Sequence, residues 1–399
     1  MKPTVLAAAV SALLACGSAN SALAETPPQP KTVYHIGNSL TFGLSLDRLA
    51  KLFASQGVTY DYGTQMGAGI PLSAHVTKIH GFTGKPFKRN NVESKPFTSD
   101  HEVAFANHTF DAVVIQPYLA WLETDEFKAM AEARGRTWNP QQIGDRQAMS
   151  ILIARALGDN SRQNTASPRF YLYATWPRLS ALNPPRGEPK TFAEHWASPY
   201  NPKAPSPAWA VPNRVFFDEL LRRVNEDNPQ LERPVKLIPV GEVLARLDVM
   251  IRDGTLPGFE AYMMRDSVPV TADGTPLQTR KGPARSNREY YRTARLAPNR
   301  KTGEVELVAF FPFEGTYNQA FGVQNLYCDA IHMNDQPHAK TEDGTLGAYI
   351  AALTIYSVMT GQSPVGLPAD AWERIDPKAD AELIRAVQET VWQVVQELH

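Results

Sequence analysis

A serine, an aspartate and a histidine occupy two short blocks at opposite ends of the chain. Ser39 lies in His35-Ile36-Gly37-Asn38-Ser39-Leu40-Thr41, directly after an apolar run and a few residues before an amphipathic one. Asp329 and His332 lie in Tyr327-Cys328-Asp329-Ala330-Ile331-His332-Met333-Asn334. A serine hydroxyl is a weak nucleophile until a base removes its proton, and imidazole does this near neutral pH. The imidazole in turn needs a carboxylate to fix its tautomer and balance its charged form. At a separation of three residues in a turn or helix start, Asp329 and His332 can share one face and touch. Together the three residue types would attack an ester carbonyl. Each block alone has a plainer reading: Ser39 as a helix cap, and Asp329 with His332 as an ordinary surface turn.

Other residues bear on the same chemistry. Thr41 stands where the G-x-S-x-G nucleophile elbow demands its second glycine, so the Ser39 block is of a different kind. His75 and His80 lack a clear third ligand and no H-E-x-x-H occurs, so zinc is not expected, and chemistry by Ser39, His332 and Asp329 requires no metal or organic cofactor. Tyr118, Trp121 and Trp176 fall just past expected strand ends and are candidates to wall a substrate pocket, with plain core packing as the alternative. Cys328, beside Asp329, reads as buried packing. The Arg285–Arg295 stretch reads as solvated.

The elements that must position these residues alternate. Five short runs rich in Val, Ile and Tyr read as buried parallel strands: Thr32–Ile36, Val58–Tyr62, Asp111–Gln116, Arg169–Ala174 and Val235–Val240. Helical stretches are expected at Ser45–Ser55, Pro140–Leu157, Asn213–Asn225, Leu346–Thr360 and Ala379–Leu398, where Leu383, Ala386, Val387, Val391 and Val394 trace one face. Alternation of this kind implies an α/β three-layer sandwich around a flavodoxin-like parallel sheet, with right-handed connections. In open sheets of this type ligands bind beyond the carboxyl ends of the strands, which is where Ser39 falls. Thr77–His108, Arg178–Ala210 and Ile251–Gly322 break the repeat and read as rim insertions, the third with a strand pair around Glu304–Phe311.

Composition narrows the class. The chain has 399 residues, 43% hydrophobic and 20% charged, with a net charge of −1. That is globular, with no basic field for a nucleic-acid backbone. Lys2, the apolar run Val5–Ala15 and Ala22-Leu23-Ala24 read as a signal peptide over residues 1–24, with cleavage before Glu25 and a Pro-rich tether at 25–31. Residues 32–399 then form one domain in the periplasm or outside the cell. Leu13-Leu14-Ala15-Cys16 also resembles a lipobox, which would instead leave the chain anchored through Cys16. No later run is long and apolar enough to span a membrane. Cys16 and Cys328 are the only cysteines, so cleavage leaves a single thiol and no internal disulfide.

The pair of blocks resembles the SGNH/GDSL hydrolase family. In that family a G-D-S or G-N-S block follows the first strand, and D-x-x-H, here Asp329 and His332, closes the triad. Gly347 through Gly361, ending in Thr360-Gly361-Gln362-Ser363-Pro364, resembles the helix and T-G-x-x-P ending of bacterial members, and Thr175-Trp176 resembles a pair found in one branch. The likeness covers most of the chain from Thr32 onward, except the three insertions. It implies a serine esterase acting on ester groups, with acyl or acetyl groups on carbohydrate as the expected substrate. It also implies an oxyanion hole from the Ser39 N–H, a glycine after the second strand and a side-chain amide after the third. The glycine maps to Gly69, with Gly67 as fallback and plain chain-turning as the alternative. The amide maps to Gln116, where the family usually has G-x-N-D; this departure leaves open a buried glutamine bonded to neighbouring backbone. An acyltransferase with the same triad, or an inactive exported glycan-binding protein, would share these residues. Oligomeric state is not encoded in any of these motifs.

Overall fold

The structure is a computed structural model. It describes residues 30–399 except 78–99, 183–189, 202–211, 270–292, 299–304, 312–321, 328–330, 334–345, 373–374 and the single positions 68, 119, 134, 136, 138, 141, 166 and 266. Asp329, Cys328 and His80 therefore lie outside the described residues, as do residues 1–29 with their expected leader.

Five parallel strands form the central sheet: β1 (Thr32–Gly37), β2 (Asp61–Met66), β3 (Ala112–Ile115), β4 (Arg169–Tyr173) and β5 (Lys236–Ile238). Their order is β2-β1-β3-β4-β5. This is the flavodoxin-like order, an α/β sheet flanked by helices as the sequence implies. Its order reverses between β1 and β3; in open sheets of this kind ligands bind beside such a point. Val33, Ile36, Val113, Ile115, Phe170 and Leu172 are buried, as expected of strands covered on both faces.

The second strand corrects the sequence reading. Of the expected run Val58–Tyr62 only Asp61 and Tyr62 belong to the strand, which pairs with β1 from Asp61 to Met66. The strand continues through Thr64 and Gln65, which are polar and lay beyond the expected run, yet both are buried. Gln65 Oε1 accepts from the His101 backbone N–H (2.7 Å) and meets His101 Nδ1 (2.9 Å), so its amide is satisfied inside. The helix expected from Pro140 starts at Asp145. A further helix, Val240–Arg252, follows β5 where none was expected.

Helices 346–360 and 381–398 close the fold. Every residue of Leu346–Thr360 is buried, so this helix is apolar all round and serves as core. The helix Ala381–Leu398 lays Leu383, Val387, Val391 and Val394 inward, four of the five positions expected; Ala386 is only partly buried. No helix among the described residues is long and apolar enough to cross a membrane. Within the third insertion, β6 (Ser267–Pro269), β7 (Thr293–Pro298) and β8 (Val305–Phe311) form an antiparallel sheet, so the expected strand pair is part of a three-stranded one.

Candidate active site

Ser39 opens a one-turn helix, Ser39–Phe42, two residues beyond the end of β1. The cap of that helix is Asn38, whose side-chain oxygen accepts the Leu40 N–H at 2.9 Å. The plainer reading of Ser39 as the cap therefore does not hold, and its hydroxyl is left for another partner. That partner is His332: its Nε2 lies 2.8 Å from Ser39 Oγ across 293 residues of sequence. Both side chains are half-buried. An imidazole at this distance can take the hydroxyl proton directly.

Beneath Ser39 the turn is held by Gln116, which follows β3. Its side-chain oxygen accepts the Asn38 N–H and the Thr41 hydroxyl, each at 3.0 Å, and its amide nitrogen donates to the Pro117 carbonyl at 2.8 Å. The side chain is 1% exposed. Three bonds to neighbouring groups make Gln116 an anchor of this turn, and only one of the two N–H donors of its amide takes part in them. Gly37 is a glycine because of this packing: a Cβ there would stand 2.5 Å from Thr41 Oγ1 and 2.8 Å from Gln116 Oε1.

The Gly67-to-Ile70 turn faces the same block through Asn38, whose amide nitrogen donates to the Ile70 carbonyl at 3.4 Å. Gly67 N–H donates to the Gly37 carbonyl at 3.2 Å, continuing the β1–β2 ladder. Gly69 is exposed, has φ +66°, and its N–H has no hydrogen-bond partner among the described residues. Of the two glycines, Gly69 is thus the one with a donor to offer, in a backbone conformation that favours glycine.

Trp176 is a candidate pocket wall from its sequence position, with plain core packing as the alternative. It is 1% exposed, and its indole N–H donates to the Ile331 carbonyl at 2.6 Å. That bond ties it to the residue before His332. Trp121, the other tryptophan at a strand end, is core. Tyr118 is half-buried, and its hydroxyl accepts from Arg178 Nη2 at 2.6 Å. This pair spans from the end of β3 to the end of β4, so Tyr118 keeps the rim position expected of it. His75 is buried, and burial, with the nearby His101 adding, pushes it down to about 3, so it stays neutral. No group of three His, Cys, Asp or Glu side chains fit to hold a metal occurs among the described residues.

Sequence reasoning missed the residues that carry the loop toward His332. Asp248, fully buried on the helix Val240–Arg252, accepts the Val323 N–H at 2.8 Å and the Ala193 N–H at 3.1 Å and pairs with Arg252 at 3.1 Å. An acid with arginine four residues on, set in an otherwise apolar helical run, was the available signal.

No protein-family model matches the chain, and no curated protein matches it. Among solved structures, it is similar to a DUF4886 family protein from Bacteroides uniformis ATCC 8492, at 14% identity and TM-score 0.42 over 92% of this chain and 94% of that one. It is also similar to the periplasmic domain of a lipopolysaccharide acetyltransferase from Salmonella ser. Paratyphi A, at 9% identity and TM-score 0.27 over 54% of this chain and 67% of that one. Likeness at these levels bears on neither activity nor substrate.

Proposed function

We propose that this protein is an exported serine esterase of the SGNH/GDSL type, acting on acyl or acetyl esters of carbohydrate. The observation that carries the reading is the 2.8 Å contact between Ser39 Oγ and His332 Nε2, at the switch point of the sheet. In this reading His332 takes the Ser39 proton as Oγ attacks the ester carbonyl. The tetrahedral oxyanion meets the N–H groups of Ser39 and Gly69. Collapse expels the alkoxide, which takes the proton from His332 and leaves an acyl-Ser39. His332 then takes a proton from water, the hydroxide attacks the acyl carbon, and Ser39 recovers its proton as the acid departs. Asp329 would hold the other imidazole nitrogen and balance its transient charge. The residues themselves supply the whole sequence of steps, so the reading needs no cofactor.

Ser39→Ala is the test, assayed on a short-chain acyl ester and with an organophosphonate probe. The expected result is loss of hydrolysis and of labelling. Hydrolysis retained at the wild-type rate would remove the mechanism. An acceptor sugar that suppresses hydrolysis while forming acylated product would move the reaction from water to transfer.

A further inference from the structure

The stretch that ends in His332 is tied to the end of β4 by two reciprocal bonds. Tyr327 Oη donates to the Pro177 carbonyl at 2.6 Å, and Trp176 Nε1 donates to the Ile331 carbonyl at 2.6 Å. Each stretch thus contributes one side chain to the backbone of the other. Burial, with the Asp248 carboxylate adding, keeps the Tyr327 phenol protonated and therefore a donor. The approach is fixed upstream as well, where Asp248 holds the Val323 N–H and Arg252 Nη2 donates to Gln324 Oε1 at 2.8 Å. Just downstream, Met333 is fully buried against the helix 346–360, where a Cβ on Gly347 would come within 2.7 Å of the Met333 Cβ.

We propose that the Trp176–Tyr327 clamp is the positioning device for the base, setting where His332 stands over Ser39. This rests on the function proposed above. The reason is geometric. The Ile331 carbonyl and the His332 N–H belong to one peptide unit, and that unit is planar out to the His332 Cα. A donor that holds the Ile331 oxygen therefore holds the point from which the imidazole swings, leaving the His332 φ and two side-chain torsions between the clamp and Nε2. Proton transfer is steep in this distance, and a displacement of about 1 Å commonly costs about a hundredfold in rate. Trp176 touches no reacting atom in this account. It is a positioning residue, and it differs from a pocket wall in what its loss would change: a wall governs substrate binding, a clamp governs the chemical step.

Trp176→Phe and Tyr327→Phe each remove one donor and keep the ring. Kinetics on a short-chain acyl ester should show kcat reduced about tenfold or more in each, with KM within about twofold of wild type. Phosphonate labelling should slow in parallel. Trp196→Phe is the control, because that buried indole also donates a 2.7 Å bond, to Glu242, away from the His332 loop; it should leave kcat unchanged. Wild-type kcat in Trp176→Phe, a change in KM alone, or equal slowing in Trp196→Phe would each overturn the clamp while leaving the esterase reading intact. Absence of both turnover and labelling in the wild type would instead remove the esterase reading and the clamp with it. If Trp176→Phe does not fold, Tyr327→Phe, which loses one hydroxyl, decides by the same thresholds.

Discussion

The side-chain oxygen of Gln116 holds the backbone N–H of Asn38 at 3.0 Å, one residue before Ser39. The amide at the end of β3 thereby sets the turn that presents the hydroxyl at the end of β1. Removing it in Gln116→Ala leaves the Asn38 N–H and the Thr41 hydroxyl buried without their acceptor, which costs about 1–3 kcal/mol for each group left unpaired. Gln116→Glu keeps the acceptor and drops the donor. If Gln116 is a structural anchor, the Glu variant retains more esterase activity than the Ala variant. Equal losses of about 10²–10³ in both would show that the amide N–H serves the oxyanion after all. Steady-state kinetics and urea midpoints on the two variants separate these outcomes.

Gly37 faces the same anchor. Gly37→Ala would press a methyl group to 2.5 Å from Thr41 Oγ1, a short, buried side chain that has little room to yield. Overpacking of this kind costs about 1–3 kcal/mol. Because the strain lands on the residue before Asn38, kcat/KM should fall together with the melting temperature. A variant with normal stability and normal kinetics would show that the turn absorbs the methyl group freely.

Asp145 gives the protein a pH-dependent stability distinct from its chemistry. Burial pushes its carboxyl up to about 7, against the pull of the Trp121 N–H at 3.2 Å and with Glu126 adding. In the unfolded chain an aspartate ionises near 3.9. Between those values the folded chain keeps a proton that the unfolded chain has released, so Asp145 favours folding less and less as pH rises through this window. Asp145→Asn cannot ionise and keeps the acceptor. Its stability relative to wild type should climb from pH ~4 to ~7 and then level off, by at most about 1.4 kcal/mol per unit. Urea midpoints across that range test this; a gap that does not vary with pH would refute it.

The sheet was legible because its strands are buried on both sides and read as apolar runs, and the helix 346–360 was legible for the same reason. The reading failed where buried groups are polar and satisfied. Thr64 and Gln65 hid the true bounds of β2, because a sequence does not show that His101 will come to meet Gln65. Asp248 likewise interrupts the apolar face of the helix 240–252. At the site, Ser39 and His332 were picked out by the resemblance of their two blocks, taken together, to the SGNH/GDSL family; by residue type alone each block had a plainer reading. Trp176, a candidate pocket wall with core packing as the alternative, was less legible: its indole bond to the Ile331 carbonyl joins residues 155 apart and leaves no mark in the local sequence.

The 293-residue gap between Ser39 and His332 also sets an order of events during synthesis. On the proposed esterase reading, the nucleophile leaves the ribosome 293 residues ahead of its proton acceptor. For most of that interval the growing polypeptide carries a serine with no more reactivity than any other alcohol. On that reading the reaction becomes possible only once His332 has been made, and a chain cut anywhere ahead of position 332 would be inert however well its first strands had formed.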